Sequence, residues 1–167
     1  MSVESMTAGQ VMSRILVAVK PAESPLIAWE LMRRAGVHHL PVVDGRQVLG
    51  ILTREKLAAS WSGGPQEQST RSVRELLDKG RRPWVGPDAP LVRVAAVMLD
   101  AGADAVPVLT GDGLIGLITA RDVVSAVAGR TETTDEPGDV LTGMFHLEPV
   151  LPSRDVPVPP TRSWREA

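Results

Sequence analysis

The chain has 167 residues, a net charge of −2, 43% hydrophobic and 23% charged residues. These are the proportions of an ordinary globular protein and exclude a collagen-like or wholly disordered one. The absence of cysteine removes disulfides, thiolate metal sites and cysteine nucleophiles, and the near-zero charge supplies no basic field for nucleic acid or acidic lipid. Apolar stretches are broken by Arg, Lys, Asp or Pro within about ten residues, too short to span a bilayer. Residues 1–6 carry neither the basic start nor the apolar run of a secretory signal. A cytoplasmic protein with no nucleic-acid or membrane partner is expected. With 3% aromatic residues, the core must be built from Val, Leu, Ile, Ala and Met, and a base-stacking surface is not expected.

Taken in chain order, Thr7-Ala8-Gly9-Gln10 fits a capping box, a hydroxyl followed three residues later by Glu or Gln, and opens a short helix. Residues 15–19 read as a strand. Ser24-Pro25 starts a helix whose apolar side comes from Leu26, Trp29, Leu31 and Met32, and Gly36 ends it. His39-Leu40-Pro41-Val42-Val43 runs into Asp44-Gly45, a hairpin signal, and residues 48–52 return. Thr53 is placed to cap the helix that begins Arg54-Glu55-Lys56-Leu57. Residues 60–71 have linker composition. Ser72-Val73-Arg74-Glu75 is a second capping box, and Trp84-Val85 a second strand, with Trp84 expected in core packing and the cleft or a dimer face as its alternatives. Residues 90–100 form a helix closed by Gly102, residues 106–109 and 114–118 a second hairpin, and Thr119 caps a helix to about residue 128. From Gly129 onward the chain holds six of the fourteen prolines and seven acids against four bases. This tail is expected to be mostly extended or disordered. Its one apolar patch, residues 141–147, could dock on the body or on a partner.

The same order of elements thus occurs twice. Residues 21–57 lie over 87–123 at a shift of 66 without gaps. Pro21 falls on Pro87, Met32 on Met98, Ala35-Gly36 on Ala101-Gly102, Pro41-Val42 on Pro107-Val108, Gly45 on Gly111, Gly50 on Gly116 and Thr53 on Thr119. The Gly, Pro and Thr matches weigh most, because each marks a backbone requirement. The capping boxes match with a one-residue slip. The expected fold class is α/β: two tandem repeats, each β-α-β-β-α with a leading short helix, over residues 7–59 and 72–128. They are joined by a linker at 60–71 and followed by the tail at 129–167. A copy of about 60 residues buries too little surface to stand comfortably alone, so the two are expected to pack as one body.

Two copies of Gly-x-x-h-Pro-Val (h, apolar), a hairpin, and then Gly-h-h-Thr-x-x-Asp or a near match, resemble the cystathionine-β-synthase (CBS) domain. A tandem pair is called a Bateman module. The resemblance covers residues 7–128, about three-quarters of the chain. It implies two α/β units facing each other across their sheets and a cleft that binds an adenosine-containing ligand such as AMP, ADP, ATP or S-adenosylmethionine. It also implies dimerisation into a flat disc. No cofactor is otherwise required.

At Gly116-Leu117-Ile118-Thr119-Ala120-Arg121-Asp122 a strand enters a helix. An N-cap Thr119 leaves first-turn N–H groups toward the cleft, a place suited to an anion. The resemblance gives Asp122 the role of accepting both ribose hydroxyls, and Arg121 is a nearby cation for phosphate. The plainer alternative is that Thr119 caps and Asp122 offsets the helix dipole. The first copy departs from the pattern. Lys56 stands where the second has Asp122, and an ammonium donates but cannot accept hydrogen bonds. Thr53 and Lys56 therefore mark a second, weaker pocket. On the family pattern His38 or His39 partners Asp122 in one pocket, while Lys56 meets Asp104 and Ala105 in the other, where Asp104 repels phosphate. Val85 and Val106 complete the expected ligand-binding set. An exposed histidine pair at a strand start is the alternative for His38 and His39. Adjacent strand residues face opposite sides, so a shared metal ion is not expected.

Arg33-Arg34 and Arg81-Arg82 read as solvated pairs, and Gly63-Gly64 lacks the Lys-Ser/Thr of a phosphate loop. No nucleophile–base pair, metal-ligand cluster or paired acids are evident, so no catalysis is expected. The expected function is a regulatory adenosyl-ligand sensor acting through a homodimer or a separate effector protein. The alternative is a ligand-independent interaction module, favoured by the missing carboxylate at position 56.

Overall fold

The computed structural model describes residues 3–14, 16–131 and 140–142, the last three as backbone. A 3-10 turn at Val3–Ser5 leads to α1 (Ala8–Val11) and β1 (Leu16–Ala18). Then come α2 (Pro25–Ala35), β2 (His39–Asp44), β3 (Gln47–Thr53) and α3 (Arg54–Ser60). After α4 (Pro65–Thr70) and a 3-10 turn at Val73–Leu76, the second copy runs through α5 (Leu91–Ala101), β4 (Ala105–Thr110), β5 (Gly113–Thr119) and α6 (Ala120–Val127). A final strand, β6, spans Val140–Thr142. The expected α/β repeat architecture is present. Local chemistry explains its punctuation. Ser24 Oγ accepts the Ile27 N–H at 3.2 Å with Pro25 in the first turn of α2. Gly36 and Gly102 end α2 and α5 at φ 65° and 57°, the left-handed conformation that glycine adopts without steric cost.

The hairpins repeat to the residue. β2 pairs antiparallel with β3 from His39↔Thr53 to Asp44↔Gln47, and β4 with β5 from Ala105↔Thr119 to Thr110↔Gly113. Each has an irregularity in register, between Val42 and Val43 and between Val108 and Leu109. The two hairpin turns meet through equivalent positions. Arg46 donates from Nε to the Asp112 carbonyl at 3.0 Å and from Nη2 to Asp112 Oδ1 at 2.9 Å. Leu16, Ala105 and Leu117 form a small buried cluster with Ile51 and Leu114 where the two units face each other.

The leading segments are exchanged between the two units. The N-terminal segment, first in the chain, packs on the second unit: Ala8 N–H donates to Ala89 O and Gly9 N–H to Pro87 O, both at 2.8 Å. Ala8 and Met12 join a core with Val94, Val106 and Ile118. The segment that opens the second copy packs on the first unit: Val73 N–H donates to Glu23 O at 2.8 Å and Arg74 N–H to Pro21 O at 3.0 Å. Val73 is buried there with Met32, Leu40 and Leu57. The exchange accounts for the repeated glycine of the second strand. A Cβ on Gly116 would stand 2.2 Å from Met12 Sδ, and one on Gly50 would stand 3.2 Å from Leu77 Cδ2. Each glycine makes room for a side chain arriving from the leading segment of the other copy.

Three sequence expectations change. The strand expected at Trp84-Val85 is reduced to one parallel bridge, Val85 with Val108. Val85 takes the inward side, so its neighbour faces out, and Trp84 is 59% exposed instead of packed in the core. The linker contains α4, which lies on α2 and fully buries Gln68, whose Nε2 donates to Ser62 O at 2.6 Å. Of the tail, residues 132–139 and 143–167 lie outside the described residues, and with them most of the expected apolar patch. The intervening β6 pairs in parallel with β1, from Leu16↔Val140 to Ala18↔Thr142, so the start of that patch lies on the body.

Candidate functional site

The two strand-to-helix junctions are built alike and differ in one side chain. At the end of β3, Thr53 Oγ1 accepts the Lys56 N–H at 3.2 Å, capping α3 in one direction only. At the end of β5 the cap is reciprocal. Thr119 Oγ1 accepts the Asp122 N–H at 3.3 Å, while Asp122 Oδ2 accepts the Thr119 N–H and hydroxyl, each at 2.8 Å. A carboxylate has two oxygens and about four lone-pair sites. The cap occupies Oδ2, and among the described residues no hydrogen bond reaches Oδ1. Capping and ligand binding are therefore compatible roles for Asp122.

The loop before each hairpin is pinned to the following helix by the same bond. Arg54 N–H donates to His38 O at 3.0 Å, and Ala120 N–H to Asp104 O at 2.8 Å. The start of β2 and the start of α6, one from each unit, border one cleft of about 490 Å³. Leu16, Val17, Val37, Pro41 and Leu117 give it apolar walls, and Thr119, Arg121, Asp122, His38, His39 and Asp104 bring polar groups to it. Both units contribute, as does Ser13 of the exchanged N-terminal segment. His39 Nε2 lies 3.1 Å from Asp104 Oδ1. That nitrogen is buried and makes no directed hydrogen bond, so the contact is one of proximity.

Five of the expected ligand-binding residues, Thr119, Arg121, Asp122, His38 and His39, thus line one cleft. Val85 and Val106 do not. They are 4% and 0% exposed and belong to the core of the second unit, Val106 on the inward face of β4 and Val85 on the inward side of its bridge to Val108. Asp104, expected opposite with Lys56, lines the cleft of Asp122 and faces His39. Lys56 instead pairs its ammonium with Asp78 of the segment following the second capping box. Ser13, Leu16, Val17, Gly36 and Val37 were not singled out from the sequence. Gly36 and Val37 had a signal in the helix stop just before the histidines, whereas Ser13 had none, since its place depends on the exchange. Among the described residues no three His, Asp or Glu side chains converge as a metal-binding set, and no helix is long and apolar enough to cross a membrane.

Comparison with known proteins agrees with the repeat and its fold. The CBS domain family profile matches residues 8–62 and 73–129. The chain is similar to an inosine-5′-monophosphate dehydrogenase of Korarchaeum cryptofilum, 31% identical over 131 residues, which cover 78% of this chain and 26% of that protein. It therefore spans about a quarter of that relative's length. Among solved structures it resembles a protein with CBS domains from Burkholderia ambifaria, 27% identical with a TM-score of 0.66, covering 78% of this chain and all of that one. It also shares its fold with the CBS domain pair of protein MJ0100 in complex with 5′-methylthioadenosine and S-adenosyl-L-methionine. That pair is 20% identical with a TM-score of 0.65, covering 75% and 98% of the two chains. With two matched repeats, their hairpins in register and their strand-to-helix junctions in place, the chain belongs to the CBS domain family as a tandem pair.

Proposed function

We propose that this CBS pair is a regulatory module that binds one adenosyl ligand per chain in the cleft at Asp122. The observation that carries the reading is Asp122 itself. Its Oδ2 is held by Thr119 at two 2.8 Å contacts, and among the described residues nothing bonds its other oxygen, beside an apolar-walled cleft that both units share. In this reading the ribose hydroxyls donate to Asp122, the adenine ring packs among Leu16, Val17, Pro41 and Leu117, and the 5′ arm extends toward His38, His39 and Asp104. A ligand touching both units shifts their relative orientation only insofar as it binds the two arrangements with different affinity. The adenosyl ligands of MJ0100, bound by a pair of the same fold, support the ligand class. The module acts in the cytoplasm as a homodimer or on a separate effector protein. Val92 and Leu99 on α5 and Val124 and Val127 on α6, all more than 60% exposed, are the apolar surface for such contacts.

Calorimetric titration of the nucleotide-free chain with S-adenosylmethionine, AMP, ADP and ATP tests the reading. Saturation near one ligand per chain is expected. Two per chain would mean that the Lys56 side also binds. A folded protein that takes none of them would leave the ligand-independent interaction module. The Lys56–Asp78 ion pair favours that second reading, because it occupies the group that stands in the ribose position of the first copy.

A further inference from the structure

We propose that the cleft sorts adenosyl ligands by the charge of the 5′ substituent, accepting one that bears a cation and rejecting one that bears phosphate. The inference rests on the adenosyl reading above and names the ligand class of the same site. Its ground is the set of charges that the fold collects. Two carboxylates, Asp104 and Asp122, line the cleft against one guanidinium, that of Arg121. His38 and His39 add positive charge only when protonated, and the inward nitrogen of His39 already faces Asp104 at 3.1 Å.

A phosphate held beside α6 would ordinarily use the first-turn amides of the helix. Here those amides are largely engaged. Ala120 N–H donates to Asp104 O at 2.8 Å, and Asp122 N–H to Thr119 Oγ1 at 3.3 Å. Asp122 also places its own carboxylate at the positive end of the helix, where an incoming anion would have to sit. Lys56, Arg14 and Arg54 do not line the cleft: Lys56 pairs with Asp78, Arg14 Nη2 donates to the Gly9 carbonyl at 2.9 Å, and Arg54 lies over the Trp29 ring at 5.8 Å. Asp104 stands at the mouth of the cleft with its side chain 61% exposed, within reach of the arm of a ligand whose ribose lies at Asp122. A sulfonium or ammonium on that arm meets an unlike charge there, and a phosphate meets a like one. Specificity then comes as much from repulsion of the wrong ligand as from attraction of the right one.

The test is titration of the full chain at one low ionic strength with S-adenosylmethionine, 5′-methylthioadenosine, AMP and ATP. S-adenosylmethionine should bind about tenfold more tightly than AMP, the scale of one charge interaction at a partly solvated site, with uncharged methylthioadenosine between them. Asp104→Asn should narrow that ratio by roughly threefold or more from both ends, since only the charged ligands sense the carboxylate. Methylthioadenosine, with no charge on its arm, should change least of the four, and an unaltered circular dichroism spectrum and melting curve show that the variant is folded. AMP or ATP binding as tightly as S-adenosylmethionine overturns the inference while leaving the adenosyl reading in place, and so does an unaltered ratio in Asp104→Asn. Failure of all four to bind removes the adenosyl reading and the inference with it.

Discussion

Thr53 and Thr119 cap equivalent helices at the ends of equivalent strands, yet one junction borders a ligand-sized cleft with a carboxylate oxygen that no described residue bonds, and the other ends in an ion pair. The backbone is the same in both. The side chain three residues into the register separates them, because Asp122 folds back to accept from Thr119 whereas Lys56 can only donate and reaches out to Asp78. On the function proposed above, the repeat keeps its fold in both copies and its binding chemistry in one. Capping and packing depend on the backbone and on apolar volume. Ligand recognition depends on the polarity of single groups.

The comparison breaks most readily at the exchanged segments. Met12 is 7% exposed and sits on Gly116, whereas its counterpart Leu77 is only partly buried against Gly50. Met12→Ala should destabilise the chain by about 2–5 kcal/mol and Leu77→Ala by a smaller amount, about 1–2 kcal/mol. Urea unfolding measures both, and equal losses would show that the second unit does not depend more heavily on its borrowed segment.

At the junctions, Asp122→Ala should weaken adenosyl-ligand binding about tenfold or more, the loss of a hydrogen bond to a charged group. Lys56→Ala should leave affinity within about twofold. If both variants lose binding alike, the two copies are functionally equivalent and the assigned asymmetry is wrong. Smaller still is the difference between the caps. Thr53→Ala and Thr119→Ala should each cost about 1 kcal/mol, the latter more, since Thr119 also donates its hydroxyl to Asp122. Thermal unfolding of the two variants decides the order.

The smallest effect concerns the ion-paired cluster on the exposed face of α2, whose counterparts on α5 are Ala96, Leu99 and Asp100. Arg33 and Arg34 both hold Glu30, at 2.8 and 2.6 Å, and their hydrogen bonds bring its carboxyl down to about 2 from its ordinary value of 4.5. The folded state therefore keeps Glu30 ionised where the unfolded chain protonates it. The stabilisation is fully present above pH 4.5 and is lost as the pH falls toward about 2. Glu30→Gln should lower the melting temperature slightly at neutral pH and not at all near pH 2. A difference that persists unchanged at the acid end would mean that the ion pairs are not its source.

Much of this was legible in the residues. The two capping boxes, the glycine helix stops, the paired hairpins and the Asp122/Lys56 difference are local signals, each set by residues within a turn or two. So was the grouping of the histidines with Asp122, once the family resemblance supplied the facing of the two units. Local signals misled where neighbours on a strand compete for one inward face, as with Trp84 and Val85. They were silent on α4, whose polar run gave no sign that Gln68 would be buried.

What the residues determined alone is the repeated backbone: the caps and stops of α2, α3, α5 and α6 and the two hairpins between them. Capping, φ preference and alternation act over a few bonds and need no distant partner. The tertiary structure decided three other things. The segment that opens each copy completes the core of the other, Asp104 turns into the cleft of Asp122, and Lys56 is claimed by Asp78. These contacts join residues far apart along the chain, and they exist only after the two units have packed. The same capping box would form whichever core received it, so the choice rests on the packed geometry of both units and not on the local sequence.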